Sequence, residues 1–400
     1  MKKILLLVLI STIINTVAFG QWTTQNSGTT EGLNEVKFLS SSVGYAVGNN
    51  GTMVKTTDGG LNWNNVVTGT SEDLISLFFV NDNKGFIGGK YGVFLKTENG
   101  GQTWQNGNIS AITIEDIYFI DDSIGFVSIW STILRTSDGG DSWDTVNIVG
   151  GTNHKIREIH FPSDQIGYAA SNGILKTTDG GLNWIKVKGD FSSDYSGADF
   201  LRQVFMTSDT TGFFGGQYYS SFYSTKDGCN TVVKESSDVI YDIYFSTSQT
   251  GYVISLGDTS VVIIKTTDGG DNWTVNYITT PTEGVGSIVF TDSLNGWAVG
   301  GNGKIIHTNN GAVLRINDKS VLKKLLTLYP NPANGNFSID LGTTYKEIIV
   351  IITNIIGQQI NEYTYQHRKI LNLNLEAPNG VYFITIKSNE GEATIKLVKE

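Results

Sequence analysis

The sequence predicts an all-β protein: a ring of four-stranded units, then a small sandwich. Three observations carry this. The phrase Lys55-Thr-Thr-Asp58-Gly-Gly-Leu-Asn-Trp63 returns at 96–104, 135–143, 176–184 and 265–273, with worn copies at 224–232 and 307–312. Its Asp or Asn recurs at steps of 41, 39, 41, 48, 41 and 42 residues, a period that marks a repeat architecture. Upstream of each copy, two apolar positions two apart end in Phe or Met, and six residues after the second comes a Gly-aromatic pair. Val36/Phe38 precede Gly44-Tyr45, and Ile288/Phe290 precede Gly296-Trp297. Period-two apolar pairs argue strand, and a fixed spacing argues a hairpin with one turn type. Finally, 47 Gly against 5 Pro, with plentiful aromatics, suits many short strands joined by tight turns.

In chain order, Met1–Gly20 reads as a secretory signal peptide. Lys2-Lys3 precede an apolar run, and Ala18-Phe19-Gly20 offers a cleavage site before Gln21. Ser11 and Thr12 interrupt the run, which argues against a membrane anchor. No transmembrane segment is expected once the signal is removed. Residues 21–312 supply seven repeats of four strands, and four-stranded units at this period form the blades of a β-propeller. Trp22 stands alone before the first repeat, while the last stops at Ala312 without its Trp. Trp22 to Phe38 spans 16 residues, as does Trp63 to Phe79. Trp22 is therefore expected to open the outer strand of the seventh blade and close the ring. Residues 313–326 form a basic linker. From 327 to 400 the repeat vanishes, and alternating strands predict a small Ig-like β-sandwich.

The phrase is expected to be structural. Asp58, Asn99, Asp138, Asp179, Asp227, Asp268 and Asn310 would accept turn N–H groups, and the Trp would bury its ring while its N–H finds a partner. Each copy offers one carboxylate where calcium wants six to eight oxygens, so no metal is expected.

Charge narrows the partners. The net charge of −10 conceals −14 in residues 21–312, with 16 basic and 30 acidic side chains. A phosphate-backbone binder needs the opposite sign, so nucleic acid is disfavoured. One cysteine, Cys229, excludes an internal disulfide framework. No catalytic residue and no cofactor is assigned. Three residues before each Phe or Met stand Glu35, Ser76, Asp116, Glu158, Gln203, Asp242 and Ser287. They form either a hydrogen-bonding anionic ring at a channel mouth or polar caps on strand starts. Blade five breaks the rhythm, with 22 residues from Trp184 to Met206. Its extra loop carries Tyr195, and its middle turn Tyr218 and Tyr219. With Trp130 and Tyr91 in equivalent turns, these aromatics share the face opposite the phrase, where carbohydrate or peptide would bind.

The phrase resembles the Asp-box, or BNR, repeat of sialidases, and the whole repeat resembles the photosystem II assembly and stability factor propellers. Sialidases use three convergent arginines, but residues 21–312 hold only Arg135, Arg157 and Arg202, and Arg135 occupies the basic place of its box. Sialidase chemistry is therefore not expected. The tail, through Tyr329-Pro-Asn-Pro332, Asn379-Gly-Val-Tyr382 and Lys396-Leu-Val-Lys399, resembles the type A sorting domain of type IX secretion cargo. That resemblance implies export by the type IX machinery through 327–400, to the medium or the outer surface of a Gram-negative bacterium. The expected function is a non-catalytic binder of an extracellular protein or glycan. The alternative is a secreted glycoside hydrolase using carboxylates on the face opposite the boxes.

Overall fold

The computed structural model describes residues 22–107, 109–150, 155–189, 201–216, 222–256, 260–279, 284–311, 327–354, 358–388 and 391–400. Tyr195, Tyr218, Tyr219 and the basic linker lie outside these. The described residues contain strands and short turns but no α-helix. The chain divides into two compact units, Gln21–Val313 and Leu314–Glu400.

Among the described residues the first unit holds seven sheets, antiparallel apart from one added strand in the fourth. Each opens with an inner strand: Leu33–Phe38, Leu74–Phe79, Ile114–Phe119, Glu158–His160, Leu201–Met206, Val239–Phe245 and Val285–Phe290. The second strand starts at the Gly-aromatic pair, the third ends in Thr, and the fourth follows the box. Each inner strand packs against the next, and the last packs back on the first. Thr23–Gln25 pairs with Ile305–Thr308, so the seventh sheet takes its outer strand from the start of the unit. Trp22 lies edge-on to Phe290 at 6.0 Å, the relation box Trp63 has to Phe38 at 5.9 Å. The fourth sheet gains a fifth strand, Asn147–Val149, which pairs parallel to Asn183–Lys188.

The fixed spacing has a steric cause. Across six of the first hairpins the Phe ring lies over the Gly of the second strand, and in the fifth Met206 takes its place over Gly212. A Cβ at Gly125 would fall 2.4 Å from the Phe119 ring, and one at Gly296 would fall 2.3 Å from Phe290. The aromatic after that Gly reaches the next sheet. Trp297 stacks on Phe38 at 3.7 Å, Tyr45 on Phe79 at 4.7 Å, Phe86 on Phe119 at 4.5 Å and Tyr252 on Phe290 at 3.9 Å. Stacked and edge-on aromatics of this kind add to the burial of their area. One repeated pair of positions therefore builds both the hairpin and the seam.

The box is a closed hydrogen-bond unit. In the fourth copy the Thr177 hydroxyl donates to Asp179 Oδ1 (2.8 Å) and accepts from the N–H of Gly181 (3.0 Å). Asp179 accepts the Asn183 N–H at 3.0 Å and its amide at 2.8 Å. The same pattern recurs at Asp58, Asp138 and Asp268, and at Asn99 with Thr103. The basic residue before it stitches seams: Lys55, Lys176 and Lys265 Nζ donate to the carbonyls of Gly100, Gly228 and Gly311 in the next sheet. One detail differs from expectation. The indole N–H groups of Trp104, Trp143 and Trp273 are buried without a hydrogen bond, whereas Trp63 reaches Gln25 and Trp184 the Gly181 carbonyl. These rings are held by packing on Phe rather than by their polar edge. We expect Thr177→Val to lower stability by about 1–3 kcal/mol, because it strands the buried Gly181 N–H. Urea denaturation would measure this, and an unchanged midpoint would contradict it.

The second unit corrects the sandwich expectation. Its strands Thr327–Tyr329, Asn336–Asn354, Gln359–Asn374, Gly380–Ser388 and Gly391–Lys399 belong to one hydrogen-bonded sheet, nearly closed on itself. Residues 337–341 and 348–352 lie on one long strand that pairs with Gln359–Asn374 on both sides of a register break. Phe337, Ile339, Val350, Leu371, Ile384 and Leu397 fill a single core.

Candidate binding site

Neighbouring strands run antiparallel, so each inner strand starts at the same end as the turn between the second and third strands. The box turns lie at the other end. Residues Glu35, Asp116, Glu158 and Asp242 thus sit at the turn end, on the inner edge of their sheets.

Six inner strands carry a β-bulge just before this position, as between Leu33 and Glu35 or Ile114 and Asp116. A bulge re-aims the next side chain, and the side chain at this position reaches the following sheet, at Glu158 without a bulge. Glu35 accepts the Leu77 N–H at 2.5 Å, Asp116 that of Ile159 at 2.8 Å, Glu158 that of Val204 at 2.6 Å and Asp242 that of Ile288 at 2.7 Å. Ser76 and Ser287 serve the N–H groups of Ile117 and Val36 in the same way. An innermost strand has one edge with no partner strand, and its buried N–H groups need acceptors. The ring residues supply them.

Electrostatics follow from this enclosure. Burial pushes Asp116 up to about 6, and the Glu35 charge adds to the effect. Burial likewise raises Asp242 to about 7. Glu158 rises well above the usual carboxylate range through burial, then through Asp116 and Asp242. Lys37 is the counter-ion. Burial alone would lower it, but the Glu35 carboxylate at 3.0 Å and the charges of Asp242 and Asp116 hold it above the usual lysine range.

Two residues further along each inner strand, on the same face, is a tier the sequence did not single out. Phe78, Tyr118, His160, Phe205 and Tyr244 form a continuous run of ring contacts, with successive centroids 5.3, 5.8, 4.6 and 5.8 Å apart. His160 Nδ1 accepts the Met206 N–H at 3.3 Å, and burial lowers this imidazole to about 4. A cavity of about 300 Å³ opens beside it, lined in part by Phe205, Met206, Thr207, Phe245 and Thr247. Thr207 and Thr247 follow their inner strands, so this cavity lies toward the box end. The available signal was the position before each Phe or Met, where rings recur in five consecutive repeats.

At the turn end, Tyr91 and Trp130 are 74% and 51% exposed, and their backbones have φ of +53° and +50°. Beside Trp130, Lys155 Nζ sits 5.6 Å from the ring centroid. Lys155 and Arg157 each reach the buried Glu115 at 2.6 Å. Glu115 is the residue that the third inner strand's bulge expels from the ladder. Tyr91 and Trp130 thus stand clear of the carboxylate ring's backbone contacts.

Comparison with known proteins finds similarity over two stretches of the chain. Residues 14–112 match the family model of the photosynthesis system II assembly factor YCF48, and residues 327–400 that of the secretion system C-terminal sorting domain. The chain is thus similar to the YCF48 propeller family over its first stretch and to secretion sorting domains over its last. A solved structure of YCF48 bound to D1 peptide is 18% identical, with a TM-score of 0.56, covering 72% of this chain and 96% of that one. PorZ, a surface component of the type IX secretion system of Porphyromonas gingivalis, is 12% identical at a TM-score of 0.52, covering 96% of this chain and 60% of that one. An ancestral GH74 enzyme is 14% identical at a TM-score of 0.58, covering 94% and 63%. At these identities the structures speak for the fold alone. No curated protein sequence matches the chain. The sorting tail implies handling by the type IX machinery and secretion or surface attachment in Bacteroidetes-type bacteria. No helix among the described residues is long and apolar enough to cross a membrane.

Proposed function

We propose that residues 21–312 form a seven-bladed propeller, exported behind a cleaved signal at 1–20, that binds an extracellular protein or glycan without catalysis. Binding would use the turn end, opposite the Asp boxes. The observation that carries this is the contrast at that end. The four ring carboxylates are occupied by backbone N–H groups of the next sheet, whereas the Tyr91 and Trp130 side chains are exposed. A glycosidase needs two carboxyl groups flanking a sugar, and groups committed to seam hydrogen bonds suit that role poorly. Tyr195, Tyr218 and Tyr219 belong to the same proposal, on the loops of the fifth repeat.

The mature protein, screened on glycan and cell-surface protein arrays and on a polysaccharide panel, should bind without turnover. Hydrolysis abolished by Asp116→Asn and Glu158→Gln would overturn this reading in favour of a hydrolase.

A further inference from the structure

Turn conformation and local charge sharpen the ligand. Positive φ is uncommon for residues with a side chain, and Asn tolerates it best. The first and seventh repeats obey this, with Asn50 and Asn302 at φ +54° and +55°. The second repeat puts Tyr91 at the matching place in the same three-residue turn, between Lys90 and Gly92. The third repeat shortens the turn to Trp130-Ser131 and places Trp130 where such hairpins call for Gly, Asn or Asp. Two large rings thus hold costly backbone positions yet bury little of themselves. Strain kept where packing does not require it points to function.

The charge beside Trp130 is unusual for this chain. Two cations, Lys155 and Arg157, share the single buried Glu115, and the Lys155 ammonium also faces the exposed Trp130 ring. The turn itself is fixed, since the Trp130 carbonyl accepts the Ile156 N–H at 2.7 Å. A rigid ring beside a basic group, in a repeat region of 16 basic and 30 acidic residues, selects a ligand with a flat face and a carboxylate.

We propose that the turn end of the second to fourth sheets binds an acidic glycan, with a sugar ring stacked on Trp130, its carboxylate beside Lys155 and Arg157, and the chain running toward Tyr91. This rests on the assignment of the binding face above. A glycan fits better than a peptide. Peptides are captured by strand addition or in continuous grooves, whereas this end presents separate rings on hairpin turns.

The test uses the full chain with hexagalacturonate and a hyaluronan hexasaccharide, against cellohexaose and hexaglutamate as comparators, by calorimetry and tryptophan fluorescence. Either uronate should bind at least tenfold more tightly than both comparators. Trp130→Asn should weaken it at least tenfold, and Lys155→Gln several-fold with a shallower salt dependence. Asn accepts the backbone of these turns, so Trp130→Asn and Tyr91→Asn should unfold at or above the wild-type temperature. That separates a lost contact from a lost fold. Uronates binding no better than cellohexaose, hexaglutamate matching them, or Trp130→Asn binding like the wild type would each overturn the proposal. In that event an array ligand lost on Tyr91→Asn would leave the binding face standing, whereas array ligands indifferent to both variants would remove the face as well.

Discussion

Phe119→Ala is expected to destabilise the first unit by about 3–5 kcal/mol. Phe119 is 4% exposed, and its ring is the meeting point of two sheets. It stacks on Phe86 of the preceding sheet at 4.5 Å, takes the edge of Trp143 at 6.0 Å and lies over Gly125. Truncation removes its own burial and also leaves Phe86 and Trp143 facing a void that neither can fill by rotation alone. Gly125→Ala attacks the same contact from the other side. Its new methyl would sit 2.4 Å from a ring that is itself clamped, so a loss of about 1–3 kcal/mol is expected. The two changes should be less than additive, because alanine at 119 removes the ring that alanine at 125 strikes. Urea denaturation of the single and double variants would show this. A Phe119→Ala loss below about 1 kcal/mol, or full additivity, would mean that the stack does not carry the seam.

That stack marks where the sequence was readable. The invariant step from Phe to Gly announced a hairpin because the ring-over-glycine contact allows only that spacing. The placement of Trp22 followed from an equal count of residues to the next Phe. Contacts between repeats were less legible. Glu35 and Leu77 stand 42 positions apart, and the inter-sheet contact joins repeats whose sequence spacing alone does not bring them together. A reading from composition could name the ring but not say whether its oxygens were free. The aromatic tier was hidden differently, since Lys37, Phe78, Tyr118, His160, Phe205, Tyr244 and Val289 share a place but no chemistry. In the tail, Gly342 stands at φ +76° between Leu341 and Tyr345. The Asp340 carboxylate accepts the Gly342 N–H at 2.9 Å, and the strand bends there without ending.

The same ring predicts how stability follows pH. Asp116 and Asp242 titrate in the folded protein near 6 and 7, against about 3.9 in an unfolded chain. Their folded values are raised, so the folded state holds protons that the unfolded chain has released. The resulting stability is fully present below about pH 4 and is lost as pH rises through 6 and 7. Asp116 alone represents on the order of 3 kcal/mol at about 1.4 kcal/mol per pH unit, and Glu158 acts in the same direction. The box carboxylates oppose this at the acid end. Hydrogen bonds from Asn272 hold Asp268 down to about 2, and Ser142 holds Asp138 below the usual range. Their contribution is present above about pH 4 and is lost on acidification. Stability should therefore peak near pH 4–5 and fall toward pH 8, where ring carboxylates that still accept their N–H groups repel one another around the single amino group of Lys37. Asp116→Asn and Asp242→Asn keep an acceptor oxygen for Ile159 and Ile288 but remove the charge. Each should flatten the decline between pH 5 and 8, and the pair should flatten it further, leaving the share that Glu158 contributes through its own burial. Urea midpoints across that range decide the matter: a wild-type curve rising toward pH 8, or asparagine variants that track it unchanged, would show that the ring is ionised without penalty.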